Sequence, residues 1–146
     1  MHQTFVHNPA YPLPQELLPH RPPMMLISGI VNADESQLCA YAKIGEEHHL
    51  FLNEKKEASN ALLLELMAQC VGCWAGLRER TLTGGKPRIG FLLGTRSFSC
   101  RARPLLEGET VQLKSRCLYL GDNVLPSQFE CHALIGEEEA ARATLT

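Results

Sequence analysis

A strong charge of either sign is missing from this sequence: 14 Lys and Arg stand against 16 Asp and Glu, a formal charge of −2. The basic residues are scattered, so no general electrostatic attraction to nucleic acid or an anionic membrane operates. The opening stretch, MHQTFVHNPAYPLP, has neither a basic start nor the apolar core of a signal peptide, and the expectation is a cytoplasmic chain. No internal repeat is evident. At 146 residues the chain is long enough for one compact domain over 1–146 with a substantial core, and too short for a second. One site or one subunit interface should therefore carry the function.

Six cysteines are present, Cys39, Cys70, Cys73, Cys100, Cys117 and Cys131. In a cytoplasmic chain they read as reduced, and most lie inside apolar or alternating segments, as small buried hydrophobes do. Cys70 and Cys73 form a C-x-x-C, but the pair lies deep within an expected helix, away from the helix amino terminus that would lower a thiolate pKa, and no second ligand pair accompanies it. The core reading is preferred, and no metal site is expected.

Prolines crowd residues 1–23, which should run extended over the surface with a short turn around QELL. MMLISGIVNAD and SQLCAYAKI read as two strands, and GEEHHLFLNEKKEAS as an irregular polar loop. Ser59 or Asn60 can cap the helix that follows, which should run to about Thr81 and end before Gly84 and Gly85. The last sixty residues read as strands: RIGFLLGTRSFSCRA, TVQLKSRCLYL, SQFECHALI and AARATLT, with a hairpin-type turn at GDN, 121–123.

The helical stretch NALLLELMAQCVGCWAG is apolar nearly all round, so protein should surround it. A transmembrane span is long enough but is interrupted by Glu65 and Gln69. The fold class is therefore α+β, an antiparallel sheet wrapped around one long helix. A sheet covers only one side of such a helix, and a second subunit, in a homodimer or close heterodimer, would cover the other.

A carboxylate among leucines costs several kcal/mol unless neutralised, paired or used, so Glu65 needs an explanation. Glu65, Gln69, Gly72 and Gly76 share one helical stripe, and two glycines there suggest close approach of another backbone. His49, in the loop before the helix, is the side chain type suited to proton transfer near neutral pH. A His and a Glu can divide acid and base roles, and the amides near Asn60 and Ala61 could hold an oxyanion at the helix start. A structural role for Glu65, paired with an arginine, is the alternative.

These residues resemble the hot-dog-fold 3-hydroxyacyl-(acyl carrier protein) dehydratases. LLPHRPPMMLI is similar to that family's entry segment, LLLELMAQCVG to its central helix with an acid followed four residues later by Gln, and GFLLGTRSFSCRARPLLEGETVQL to its next pair of strands. HLF, ELMAQ and WAG are most similar to the dehydratase-like branch of aryl-polyene biosynthesis. The resemblance implies catalytic His49 and Glu65 from opposite subunits, with Gln69, Asn60 and Ala61 binding substrate and His48 as the rival loop histidine. It implies no cofactor beyond the phosphopantetheine of an acyl carrier protein that bears the substrate, whose acidic surface could meet Arg96, Arg101 and Arg103. The reaction implied turns a 3-hydroxyacyl thioester into a trans-2-enoyl thioester in fatty-acid or polyene-type biosynthesis.

One departure stands out. LFLNEKKEASN replaces the family's Gly- and Pro-rich run between His and acid, with Asn60 at that run's final Gly position and Glu65 16 positions after His49. It motivates one alternative, a non-catalytic partner subunit of a heterodimeric dehydratase. A thioesterase on the same fold is the other, since fold alone does not decide chemistry.

Overall fold

The computed structural model describes residues 4–84, 94–121 and 126–146. A one-turn helix α1 (Pro14–Leu17) precedes strands β1 (Gly29–Ala33) and β2 (Gln37–Lys43). A 3₁₀ turn, Glu46–Phe51, and the short strand β3 (Glu57–Ala58) lead into the long helix α2 (Ala61–Thr83). Five strands follow: β4 (Thr95–Cys100), β5 (Leu105–Leu106), β6 (Thr110–Tyr119), β7 (Gln128–Ile135) and β8 (Glu138–Leu145). The large sheet has the order β1-β2-β6-β7-β8-β4, and β3 pairs with β5 apart from it. All these pairings are antiparallel.

Alternation sets the concave face. Leu38, Ala40 and Ala42 of β2, Val111, Leu113 and Ser115 of β6, and Phe129, Cys131 and Ala133 of β7 are all buried, and register puts Ala40 opposite Leu113 and Leu113 opposite Ala133. Side chains two apart on a strand share a face, so this face is apolar, and its many alanines let a helix lie close. Helix α2 packs there through Leu62, Leu63, Leu66, Met67, Cys70, Cys73 and Trp74. This is the hot-dog arrangement expected from the sequence. By length and composition α2 alone among the described helices qualifies as a membrane span, but its apolar side is occupied by the sheet.

The helix ends as expected: Gly84 adopts the left-handed conformation (φ 67°) and its N–H reaches the Arg80 carbonyl. At its start Ser59 Oγ accepts from the Ala61 amide at 3.2 Å, while the N-cap residue, Asn60, makes no side-chain cap bond. The C-x-x-C is core. Burial pushes the Cys70 thiol well up and the Cys73 thiol up to about 12, which removes thiolate chemistry at neutral pH.

Two elements differ from the sequence reading. The first strand begins at Gly29 rather than Met24, because the Met24 and Leu26 backbone is bonded to side chains of other elements. The loop before α2 contains the 3₁₀ turn and β3. The short turn expected around QELL is present as the helical turn PQEL. Residues 88–93 of the expected strand and most of the GDN turn lie outside the described residues.

Candidate active site

The glycine stripe of α2 is where the chain's own entry segment crosses it. A Cβ on Gly76 would strike the Leu17 backbone, and one on Gly72 would lie 2.7 Å from Leu18 Cδ2. The close backbone approach thus comes from α1 of the same chain. Leu17 and Leu18 are buried in that contact.

Further along, the same strap is tied to Gln69. The Gln69 carbonyl accepts from the Leu26 amide (3.0 Å), and its amide nitrogen donates to the Met24 carbonyl (2.8 Å) and to Glu65 Oε1 (3.4 Å). Both of its amide hydrogens and one lone pair of its carbonyl are used inside the protein. Gln69, expected to bind substrate, lines the groove with Glu65 and also ties the strap to the helix.

Glu65 is half-buried. It lines a groove of about 580 Å³ between α2 and the β7–β8 part of the sheet, with Gln69, Gly72, Trp74, Leu120 and Phe129 among its walls. Trp74 and Phe129 meet edge to face at 5.4 Å, and Arg78 lies 5.9 Å above the Trp74 ring. Glu65 also borders a cavity of about 270 Å³ at the helix start, lined by Met24, Phe51, Ser59, Ala61 and Leu62. One carboxylate therefore stands between an apolar groove and the first turn of a helix. Among the described residues no arginine bonds to it, in contrast to the structural alternative.

The two loop histidines separate cleanly. His48 is fully buried, with Nδ1 accepting from the Gly45 amide (3.1 Å) and Nε2 donating to the Leu26 carbonyl (2.9 Å). Both nitrogens are occupied by backbone, so His48 holds the loop against the strap and has no lone pair or proton for a substrate. His49 is exposed, and its Nδ1 donates to the Glu46 carbonyl at 3.0 Å. It borders a surface cavity shared with Glu46, Leu52, Lys56 and Glu107, and that cavity does not include Glu65. Within one chain His49 and Glu65 are not brought together.

At the helix start, the Ala61 amide is taken by Ser59, and the Leu62 and Leu63 amides bond the Ser59 and Asn60 carbonyls (3.0 Å each). Among the described residues no acceptor is bonded to the Asn60 amide. The Asn60 side chain donates to the Arg101 and Arg103 carbonyls, 2.8 Å each, fixing the helix start to the segment after β4. Arg101, expected at a docking surface, has a side chain only 6% exposed and bonds Glu109 (2.8 Å) and Glu138 (3.0 Å). Burial would lower its pKa, but the two carboxylates outweigh that and raise it. Arg103 also bonds Glu138, at 2.6 Å, while Arg96 is exposed.

One groove residue was not singled out from the sequence. His20 lines the groove with Glu65 and Gln69, and its Nδ1 is shut away from water, with no hydrogen-bond partner among the described residues. The available signal was its place in PHRPP, where prolines on both sides stiffen the chain.

Three solved structures share this fold. The dehydratase heterocomplex ApeI:P from Xenorhabdus doucetiae matches with a TM-score of 0.83 at 22% identity, covering 92% of this chain and 90% of that one. A hypothetical thioesterase from Streptococcus pneumoniae solved with coenzyme A matches at 0.58 and 16% identity, covering 80% of each chain. The Escherichia coli PaaI protein of the phenylacetic acid degradation operon matches at 0.57 and 13% identity, covering 80% of this chain and 79% of that one. The model of the ApeP-like family, described as ApeP dehydratase, matches residues 12–146. That match takes in the strap, the central helix with Glu65 and Gln69, and the strands of the sheet, and the chain belongs to the ApeP-like dehydratase family.

Proposed function

We propose that this chain acts in the removal of water from a 3-hydroxyacyl thioester, carried on the phosphopantetheine arm of an acyl carrier protein, to give a trans-2-enoyl thioester. The observation that carries the reading is the position of Glu65. It is an acid that accepts from Gln69 and is bordered both by a groove of about 580 Å³ and by the first turn of a helix.

In this reading the loop histidine of the second subunit, His49 where that subunit is another copy of this chain, takes the α-proton and the C–H electron pair becomes the new double bond. The helix-start amide of Asn60 holds the thioester oxygen as charge develops on it. Glu65 gives a proton to the 3-hydroxyl as the C–O bond breaks, so that water leaves. The proton on that histidine then returns to Glu65 through solvent, and both groups are reset. Fatty-acid or polyene-type biosynthesis is the setting in which such a step is needed.

A related hot-dog chain is the proposed second subunit. Two observations support it: the edge strand β4 is exposed along its whole length, and His49 lies outside the groove of its own Glu65. The matched structure from Xenorhabdus doucetiae is itself a heterocomplex.

The test follows enoyl thioester and free thiol separately, from a 3-hydroxyacyl carrier-protein substrate, with this chain alone and with its related partner. Enoyl product requiring both His49 and Glu65 supports the proposal. Free thiol without enoyl product makes the protein a thioesterase. Activity of the pair that survives loss of both residues makes this chain a non-catalytic subunit.

A further inference from the structure

We propose that the indole of Trp74 is the end wall of the acyl-binding groove and fixes the longest acyl chain that the protein accepts. The inference rests on the dehydratase reading, which seats the acyl group in the groove beside Glu65, and adds to it the residue that sets chain length.

The α2 residues that line the groove run from Glu65 to Glu79. At roughly 1.5 Å of rise per residue, the positions from Glu65 to Trp74 amount to about 14 Å along the helix axis. Apart from Gln69, the helix lines that length with Ala68, Val71 and Gly72, which are small enough to leave room for an acyl chain. At Trp74 the lining changes. The indole is only 5% exposed and meets Phe129 of β7 edge to face at 5.4 Å, while the Arg78 guanidinium lies 5.9 Å from its ring centroid. A ring packed against the sheet on one side and covered by a cation on another is a fixed wall.

A second cavity, of about 400 Å³, adjoins the same side chains. Ala33 and Asp34 at the β1–β2 turn and Leu77 and Leu82 of α2 are among its walls, and Trp74 and Arg78 are the two described residues that it shares with the groove. In the sheet, β1 and β2 stand on one side of β6, and β7 and β8 on the other. The two cavities therefore flank α2, and Trp74 fills the space between helix and sheet that separates them. Each methylene that an acyl chain buries raises affinity roughly fourfold. That gain ends where the chain meets the indole, and a smaller side chain at this position would open the groove into the second cavity and let the gain continue.

The experiment measures, by calorimetry, the binding of octanoyl, dodecanoyl and hexadecanoyl pantetheine thioesters to the chain together with its partner. None of the three carries a 3-hydroxyl, so no water can be lost. In the native protein the dodecanoyl ligand should bind at least about tenfold more tightly than the octanoyl, and the hexadecanoyl no more than about twofold more tightly than the dodecanoyl. In Trp74→Leu the hexadecanoyl ligand should gain at least about tenfold over the dodecanoyl. Trp74→Phe keeps a ring, disturbs the core less and should shift the profile the same way by a smaller amount. A native length profile in folded Trp74→Leu, or in Trp74→Phe where the leucine variant does not fold, overturns the inference. So does a native protein whose affinity climbs about tenfold from dodecanoyl to hexadecanoyl, or one that binds octanoyl and dodecanoyl equally, since the chain then does not end at Trp74 or does not lie in the groove. Failure of the dehydratase reading looks different: native protein would release no enoyl thioester from a 3-hydroxydodecanoyl substrate, whatever length profile the titrations give.

Discussion

Gln69 donates to Glu65 across one turn of α2 while its other bonds hold the backbone of Met24 and Leu26. The acid and the strap are therefore positioned by a single side chain. Gln69→Ala leaves a buried N–H and a carbonyl without partners and should cost about 2–3 kcal/mol, read as a lower urea midpoint with an unchanged slope. A loss under about 0.5 kcal/mol, the range of an ordinary surface change, would show that the strap is held by something else.

The two glycines on the stripe should respond unequally to alanine. At Gly76 the new methyl meets the backbone of Leu17, which cannot move without shifting α1, whereas at Gly72 it meets the end of a leucine side chain that can rotate. Overpacking typically costs about 1–3 kcal/mol, and Gly76→Ala should fall at or above the top of that range while Gly72→Ala stays near the bottom. Thermal melts of both variants check the order, and the reverse order would contradict the packing described.

Strand alternation and helix ends were legible because they depend on neighbours in sequence: Val111, Leu113 and Ser115 face inward by simple period, and Gly84 stops α2 by its own backbone freedom. The unexplained acid and the glycine stripe also stood out, the acid because an apolar stretch penalises a carboxylate and the glycines because they weaken a helix interior. What could not be read was which partner each feature meets. Gln69 bonds residues 43 and 45 positions away, and Arg101 is neutralised by Glu109 and Glu138 through the meeting of β8 with β4. His48 and His49 are adjacent and chemically identical, so only the turn geometry decides that one is buried and the other exposed.

That division makes a prediction for the pair. His48→Ala removes two buried backbone contacts and the volume of a ring, and should destabilise the chain by about 2–4 kcal/mol. His49→Ala should change stability by no more than about 0.5 kcal/mol. Chemical denaturation of the two variants in parallel is sufficient, and equal losses would mean that the loop is not anchored through Leu26.

On the outer face of the sheet His132 lies between Glu139 (2.9 Å) and Glu130 (3.1 Å). Burial alone would lower its pKa, but the two carboxylates outweigh it and raise the value above 6.5. A raised folded-state pKa means stabilisation that is complete below about 6.5 and fades as pH rises through the folded value. Wild type should therefore exceed His132→Gln in Tm by more at pH 6 than at pH 9, in 50 mM salt, where screening is modest. A gap that widens with pH would reverse the sign and contradict the pairing.

The central claim is that Glu65 supplies the proton to a departing hydroxyl. Its most direct test is the rate of enoyl thioester formation from a 3-hydroxyacyl carrier-protein substrate by this chain with its partner, wild type against Glu65→Gln, with equal melting temperatures confirmed. General acid catalysis is worth on the order of 100- to 10,000-fold, and the variant should lose at least about 100-fold. An enoyl product formed at the wild-type rate by Glu65→Gln would contradict the account.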